Sequence, residues 1–310
     1  MSILKLIPAS KEYLWGGKRL VTEFGKECTG EIMAESWELS CHPDGPSIIA
    51  NGEYKGKTLI EYMNEVGKKV WGSNCRQFSE FPILIKFIDA KQNLSVQVHP
   101  SNEYALKHEK QYGKTEMWYV VDCDQDAVLS YGLKRAVTKK ELVKYIEENS
   151  LTEILNVVPI KPGDVFFIEA GTLHAIGAGT LIAEIQQNSN VTYRVYDYDR
   201  VGADGRPREL HVEKAQDVTT LVPSVRNKNQ GARLVSCDYF TVDKLNLDKL
   251  KGMVTEESFV SILVLSGTGA ICAGEEKLNY QKGDSFFLPA GLGGFEMVGD
   301  GECLMTQVDA

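Results

Sequence analysis

Apolar residues along the chain fall at alternate positions or in short solid runs, and Gly, Pro and Asp cut the runs apart. Period-two alternation and brief apolar runs predict short strands rather than long helices. Residues 81–88 (FPILIKFI) read as a buried strand interrupted by one lysine, and 94–99, 117–121 and 165–168 as further strands. Two segments repeat at helical spacing instead, 58–70 (TLIEYMNEVGKKV) and 138–149 (TKKELVKYIEEN). In the second, Thr138 and Glu141 have the spacing of a capping box. Residues 258–274 carry no charge, but Ser, Thr and Gly interrupt them. They fall short of the roughly 20 apolar residues of a membrane-spanning helix, and two strands around a glycine turn are expected there. Many strands and few helices give a mainly β fold with helical additions near 58–70 and 138–155.

One pattern occurs twice. Residues 161–174 (KPGDVFFIEAGTLH) overlay 281–294 (QKGDSFFLPAGLGG) at a constant offset, with Gly-Asp, Phe-Phe, Ala and Gly coinciding. A Gly-Asp turn, an apolar strand and a second glycine turn predict a hairpin of defined geometry. Its repetition marks duplicated units. The first copy finishes in His174 and the second in Gly294. If the two are duplicates, only the first keeps a site.

Composition narrows the partners. A chain of 310 residues suits two domains, and 43% apolar with 25% charged residues is a globular balance. The net charge of −9 speaks against nucleic acid and anionic membranes, which require a broad basic field. A small anion requires only a local cluster of Lys and Arg. The seven cysteines are scattered without a CxxC, which suggests reduced thiols, and the first twenty residues lack an apolar stretch of signal-peptide type. A cytoplasmic protein is expected.

Histidine is scarce, at positions 42, 99, 108, 174 and 211. In Gln97-Val98-His99-Pro100, strand alternation puts Gln97 and His99 on one face with Ser95, and Val98 on the other. Glu116 opens an apolar strand just after Gly113-Lys114-Thr115, and His174 follows the Ala170-Gly171 turn. Two imidazoles, a carboxylate and an amide oxygen suit zinc with at least one open position, and imidazole speaks against magnesium or calcium. The spacings match no short zinc motif, and each histidine taken singly reads first as a structural residue. His42, His108 and His211 are expected to ligate nothing. Residues 184–200 read as an unusually polar strand pair. Glu184, set in Leu181-Ile182-Ala183-Glu184-Ile185, carries a charge that is expensive to bury unless paired.

Several stretches together resemble the short bacterial form of the type I mannose-6-phosphate isomerases. They are Trp15-Gly16-Gly17, residues 34–40 (AESWELS), 94–100 (LSVQVHP), 113–119 (GKTEMWY), 170–176 (AGTLHAI) and 184–200. The resemblance implies a tandem cupin of jelly-roll β-barrels. A catalytic cupin would cover 1–235, and a smaller cupin-like domain without metal ligands 236–310. It also implies one Zn2+ per chain on His99, Glu116 and His174, with Gln97 contributing in many members, and an essential Arg194. The implied reaction interconverts mannose 6-phosphate and fructose 6-phosphate. One departure stands out: the usual Asn-Ser-Asp is here Asn188-Ser189-Asn190.

Such an isomerisation moves a proton between C1 and C2 through a cis-enediol. It requires a base and stabilisation of oxyanion charge. Zinc suits the second task as a Lewis acid, or it serves mainly to hold the pocket walls. Arg194 is the first candidate for charge stabilisation. Glu184 is a candidate general base, with an ion pair to Arg194 as its alternative. Lys114 joins them as a catalytic candidate, and Lys86, Ser95, Lys114 and Arg194 are expected to bind the phosphorylated hexose. Lys86 interrupts a buried apolar run, which calls for a partner or an anion. Arg200 and Arg208 are loop candidates for the same role. A monomer or homodimer is expected. Two rival readings are an iron cupin dioxygenase, which gives residues 184–200 no place, and a metal-dependent sugar-binding regulator without turnover. The set Lys114, Glu116, His174 and Arg194 stands against the regulator.

Overall fold

A computed structural model describes residues 1–201, 205–226 and 231–309. Among these, 22 strands outnumber five α-helices, as the short apolar runs require. The chain sorts into two compact units, one of residues 14–17 and 88–227, the other of residues 1–13, 18–87 and 228–310.

The first unit holds eight strands: β1 (Val96–Val98), β2 (Glu116–Cys123), β3 (Val128–Leu133), β4 (Leu155–Pro159), β5 (Val165–Ile168), β6 (His174–Ile176), β7 (Thr180–Gln187) and β8 (Tyr193–Tyr196). Antiparallel pairing joins β5, β2 and β7 in that order. A five-stranded sheet runs β8-β1-β6-β3-β4. Alternation sorts its side chains. Val96, Val98, Ala175, Tyr193 and Val195 face an apolar layer with Leu142 and Ile146 of the helix Lys139–Glu147 and Ala215 of the helix Val212–Val218. The intervening residues Gln97, His174 and Arg194 therefore face the opposite way. The expected capping box is present: the Glu141 N–H donates to Thr138 Oγ1 over 3.2 Å, and the Thr138 N–H to Glu141 Oε2 over 2.8 Å.

Three expectations are revised. The helix predicted over 58–70 ends at Val66, because Gly67 takes φ +80° and a 3₁₀ turn follows over Lys68–Trp71. The strand predicted over 94–99 is ladder-paired only over Val96–Val98. The polar stretch 184–200 is not one strand pair, since β7 and β8 lie in different sheets. Gln186 bends the chain between them, its Nε2 donating to the carbonyls of Gln187 (2.8 Å) and Ser189 (2.7 Å).

The second unit contains a seven-stranded and a four-stranded antiparallel sheet, besides the strands Ala9–Lys11 and Glu35–Leu39. Its seven-stranded sheet includes Leu4–Ile7, Val260–Ser266, Ser285–Leu288 and Glu302–Gln307, so the N-terminal strand joins the C-terminal ones through Leu4↔Phe287. The core between the sheets collects Ile262, Val264, Phe286, Leu288, Phe295 and Met297. Residues 258–274 form the two expected strands, Val260–Ser266 and Thr268–Ala273, joined at Gly267 (φ +88°). A Cβ there would lie 2.0 Å from the Asp300 carbonyl oxygen, so only glycine fits.

Both copies of the repeated pattern have the same turn. Gly163 and Gly283 have φ +89° and +91°. The Lys161 and Gln281 N–H groups donate to Asp164 Oδ2 and Asp284 Oδ2, each over 2.9 Å. The strands Val165–Ile168 and Ser285–Leu288 follow, with Phe166 and Phe286 fully buried.

Candidate active site

The inward faces of the two sheets of the first unit bring the expected ligands together. Within the described residues, one ligand atom from each of His99, Glu116 and His174 lies within 4.8 Å of the others, and all three side chains are buried. His174 Nε2 is 3.4 Å from Glu116 Oε1, and His99 Nε2 is 3.7 Å from Glu116 Oε2. Backbone carbonyls fix the tautomers. His99 Nδ1 donates to the Val191 carbonyl and His174 Nδ1 to that of Thr172, each over 2.8 Å. A carbonyl only accepts, so both Nδ1 atoms carry a proton, and in the neutral ring the lone pair sits on Nε2. Burial pushes the His174 imidazole down to about 4, which keeps it neutral near pH 7. Two imidazole lone pairs and a carboxylate converging in a buried pocket form a donor set suited to a divalent cation of zinc type.

Gln97 sits on β1 with Cα partners His174 and Arg194 on its two neighbouring strands. Its Nε2 donates to His174 Nε2 over 3.3 Å. Ligation by the amide oxygen needs only half a turn of its terminal torsion, which is soft.

Charged groups flank these residues. Lys114 Nζ lies 2.6 Å from Glu116 Oε2 and 3.7 Å from Glu184 Oε1. The indole N–H of Trp118 donates to Glu184 Oε2 over 2.9 Å. Glu184 is thus set beside Trp118 and Lys114, whereas Arg194 donates through Nε to Ser95 Oγ (3.3 Å) and through Nη1 to the Glu209 carbonyl (3.1 Å). The alternative ion pair of Glu184 with Arg194 is not formed. Burial and then the nearby Arg208 charge lower the basicity of Arg194 from its ordinary range. The Arg194 N–H donates to His211 Nδ1 over 3.1 Å.

Lys86 belongs to the second unit. It is buried on the strand Ile83–Ala90, 3.3 Å from Glu35 Oε2 and with Nζ 4.9 Å from the centre of the Trp37 ring. Arg200 and Arg208 both bind Asp197: Arg208 donates through Nε and Nη2 over 2.7 and 2.6 Å, and Arg200 through Nη2 over 2.6 Å. Burial alone would raise the Asp197 carboxyl, but the two guanidinium groups hold it below its ordinary range. Asn190, the departure from the family pattern, is exposed.

Sequence reasoning missed Trp118 and Asp197. Trp118 stands two residues beyond Glu116 on one strand, a period-two signal, but a tryptophan among apolar residues reads as core. Asp197 gave no signal beyond its place in a polar run.

Residues 3–125 match the family described as phosphomannose isomerase type I, catalytic domain, and residues 231–308 match the mannose-6-phosphate isomerase cupin domain. The chain is 41% identical to the mannose-6-phosphate isomerase ManA of Bacillus subtilis, covering 97% of each chain. It is 40% identical to the mannose-6-phosphate isomerase of Streptococcus mutans, covering 95% of this chain and 94% of the other. The crystal structure of the mannose 6-phosphate isomerase from Bacillus subtilis superposes with a TM-score of 0.90 at 38% identity over 99% of both chains. With a mainly β cupin architecture and a buried His-Glu-His cluster, the chain is an enzyme of the type I phosphomannose isomerase family.

Proposed function

We propose that this chain interconverts mannose 6-phosphate and fructose 6-phosphate with one zinc ion, held by His99, Glu116 and His174 and by Gln97 once its amide is turned. The observation that carries the reading is the convergence of three buried ligand atoms within 4.8 Å beside Lys114 and Glu184. When bound, zinc supplies a Lewis acid for the sugar oxygens.

The chain's own residues do the rest. Glu184 is the proposed base that takes a proton from one carbon and returns it to its neighbour. One of its carboxylate oxygens is fixed by Trp118, and the other lies 3.7 Å from Lys114 Nζ. Lys114 supplies positive charge where enediolate character develops. Arg194 has Nη2 without a protein partner among the described residues, which leaves a donor for the substrate, and Ser95 orients its guanidinium through Nε. Lys86 is proposed to bind the substrate phosphate. Replacing it with methionine should raise KM far more than it disturbs folding, and an unchanged KM removes that role.

The test of the whole is metal analysis followed by a coupled assay with mannose 6-phosphate. Zinc with turnover supports the proposal. Iron with oxygen uptake, or sugar binding without turnover, overturns it. Glu184→Gln should abolish proton exchange at C2 while zinc content stays normal. The same proposal places the catalytic part in residues 1–235, leaves 236–310 without ligands, and sets the enzyme in the cytoplasm as a monomer or homodimer. Among the described residues no helix is long and apolar enough to cross a membrane.

A further inference from the structure

A buried indole N–H must find an acceptor. In Trp118, which has no exposed surface, it finds a carboxylate 66 residues away in sequence, Glu184 Oε2 at 2.9 Å. The two residues are direct cross-strand partners, on the ladder that also pairs Gln186 with Glu116. The indole ring stands edge-on to His174, with centroids 5.3 Å apart and planes at 78°, so its own rotamer is held by packing. Its N–H fixes one oxygen of Glu184 and leaves the other 3.7 Å from Lys114 Nζ, while Lys114 is engaged at 2.6 Å by Glu116. A glutamate released from the indole has a strong cation within reach, and a closed ion pair there would withdraw the carboxylate from the substrate carbon.

We infer that Trp118 is a positioning residue for the isomerisation, its indole N–H holding the Glu184 carboxylate short of Lys114 and in line for proton transfer. The inference rests on the proposed role of Glu184. Trp118 touches neither sugar nor metal in this account and acts through the carboxylate, so its removal should lower kcat and leave KM alone.

The test compares Trp118→Phe in the wild-type and Glu184→Asp backgrounds, with Glu184→Gln as the control on the base itself. Aspartate is one methylene shorter and should no longer reach the indole N–H. The expected result is a fall in kcat of at least five-fold in the wild-type background, with KM within two-fold and zinc content unchanged, and a fall below two-fold in the aspartate background. A fall of less than five-fold in the wild-type background, a changed zinc content or an equal loss in both backgrounds overturns the inference. If Trp118→Phe does not fold, benzothienylalanine at position 118 keeps the ring shape, lacks the N–H and carries the same expectation. Proton exchange surviving in Glu184→Gln removes the base assignment instead. Lost exchange in Glu184→Gln with normal kcat in Trp118→Phe leaves the base standing and removes only the part played by Trp118.

Discussion

The hairpins over 161–174 and 281–294 have the same backbone and different chemistry. In each, a glycine near φ +90° sets the turn, an aspartate accepts from the N–H three residues before it, and a buried phenylalanine follows on the strand. The resemblance extends to the second turn. The Gly171 N–H donates to the His99 carbonyl and the Gly291 N–H to the Thr255 carbonyl, each over 2.8 Å. The pattern the two copies share is therefore scaffold, since both build the same turn and, among the described residues, only the first contributes to a His-Glu-His cluster. What the first adds is His174 at its end, and a histidine, His99, as the residue whose carbonyl accepts from its second turn. The site is an addition to a hairpin that folds without it.

The largest effect should come from erasing that difference. His174→Gly makes the first hairpin end as the second does. Isomerase kcat/KM is expected to fall by at least about 100-fold, beyond the 10–100-fold that follows when a group behind a ligand is disturbed, with loss of bound metal and a lowered Tm, since a buried strand side chain becomes glycine. The reciprocal Gly294→His has room, since a Cβ there meets nothing nearer than Met253 Cε at 3.9 Å. Metal content should not rise. A gain of metal would mean that the hairpin alone makes a site.

The turn glycines separate strain from crowding. Gly163→Ala forces an L-residue into the left-handed region with open space around its Cβ, which should cost about 1–2 kcal/mol. Gly283→Ala carries the same strain, and its Cβ would also lie 3.1 Å from the Phe24 carbonyl oxygen and 3.3 Å from Lys26 Cε. Chemical denaturation should show the larger loss for Gly283→Ala. Equal losses would show that the crowding relaxes freely.

Removing the turn carboxylates is a smaller test of equivalence. Asp164→Ala and Asp284→Ala each lose one hydrogen bond to a backbone N–H and one ion pair, to Arg226 (2.9 Å) and to Lys5 (2.7 Å) respectively. Each should cost about 1 kcal/mol in stability, and kcat should stay within about three-fold for Asp284→Ala. Unequal losses would show that the two turns differ in more than their ends.

The smallest effect concerns pH. Residues 236–310 contain no histidine, so the histidine part of any acid response below about pH 6.5 belongs to the rest of the chain. His211 Nδ1 accepts from the Arg194 N–H, and burial lowers the His211 pKa from its ordinary range. The unfolded chain therefore binds this proton first as pH falls. The stabilisation is present above the ordinary value and declines as pH drops through it toward the lowered one. His211→Asn, which can still accept from Arg194, should flatten that decline in urea melts taken between pH 7 and 5.

Much of this arrangement was legible because strands have period two. Gln97 and His99 had to share a face whatever the register, and the repeated hairpin marked His174 by contrast with Gly294. The solid apolar runs gave the strands of both units. What could not be read was pairing between distant segments. Glu35 lies 51 residues before Lys86, and nothing local marks it as that lysine's partner. Glu184 and Arg194 seemed natural partners at ten residues apart, yet the bend at Gln186 sends them to different sheets. Trp118 looked like core because burial and hydrogen bonding look alike in an indole. Gly67 ended a periodic segment early, since it takes φ +80°, a conformation that the apolar pattern does not encode.

If the histidine-ended hairpin completes a catalytic metal site, stripping the enzyme with a chelator and titrating zinc back should show it in the turnover of mannose 6-phosphate. Activity should be absent at the start, rise in proportion to metal and level off at one zinc per chain. Full activity in the stripped protein, or saturation with no turnover at any zinc level, would contradict it.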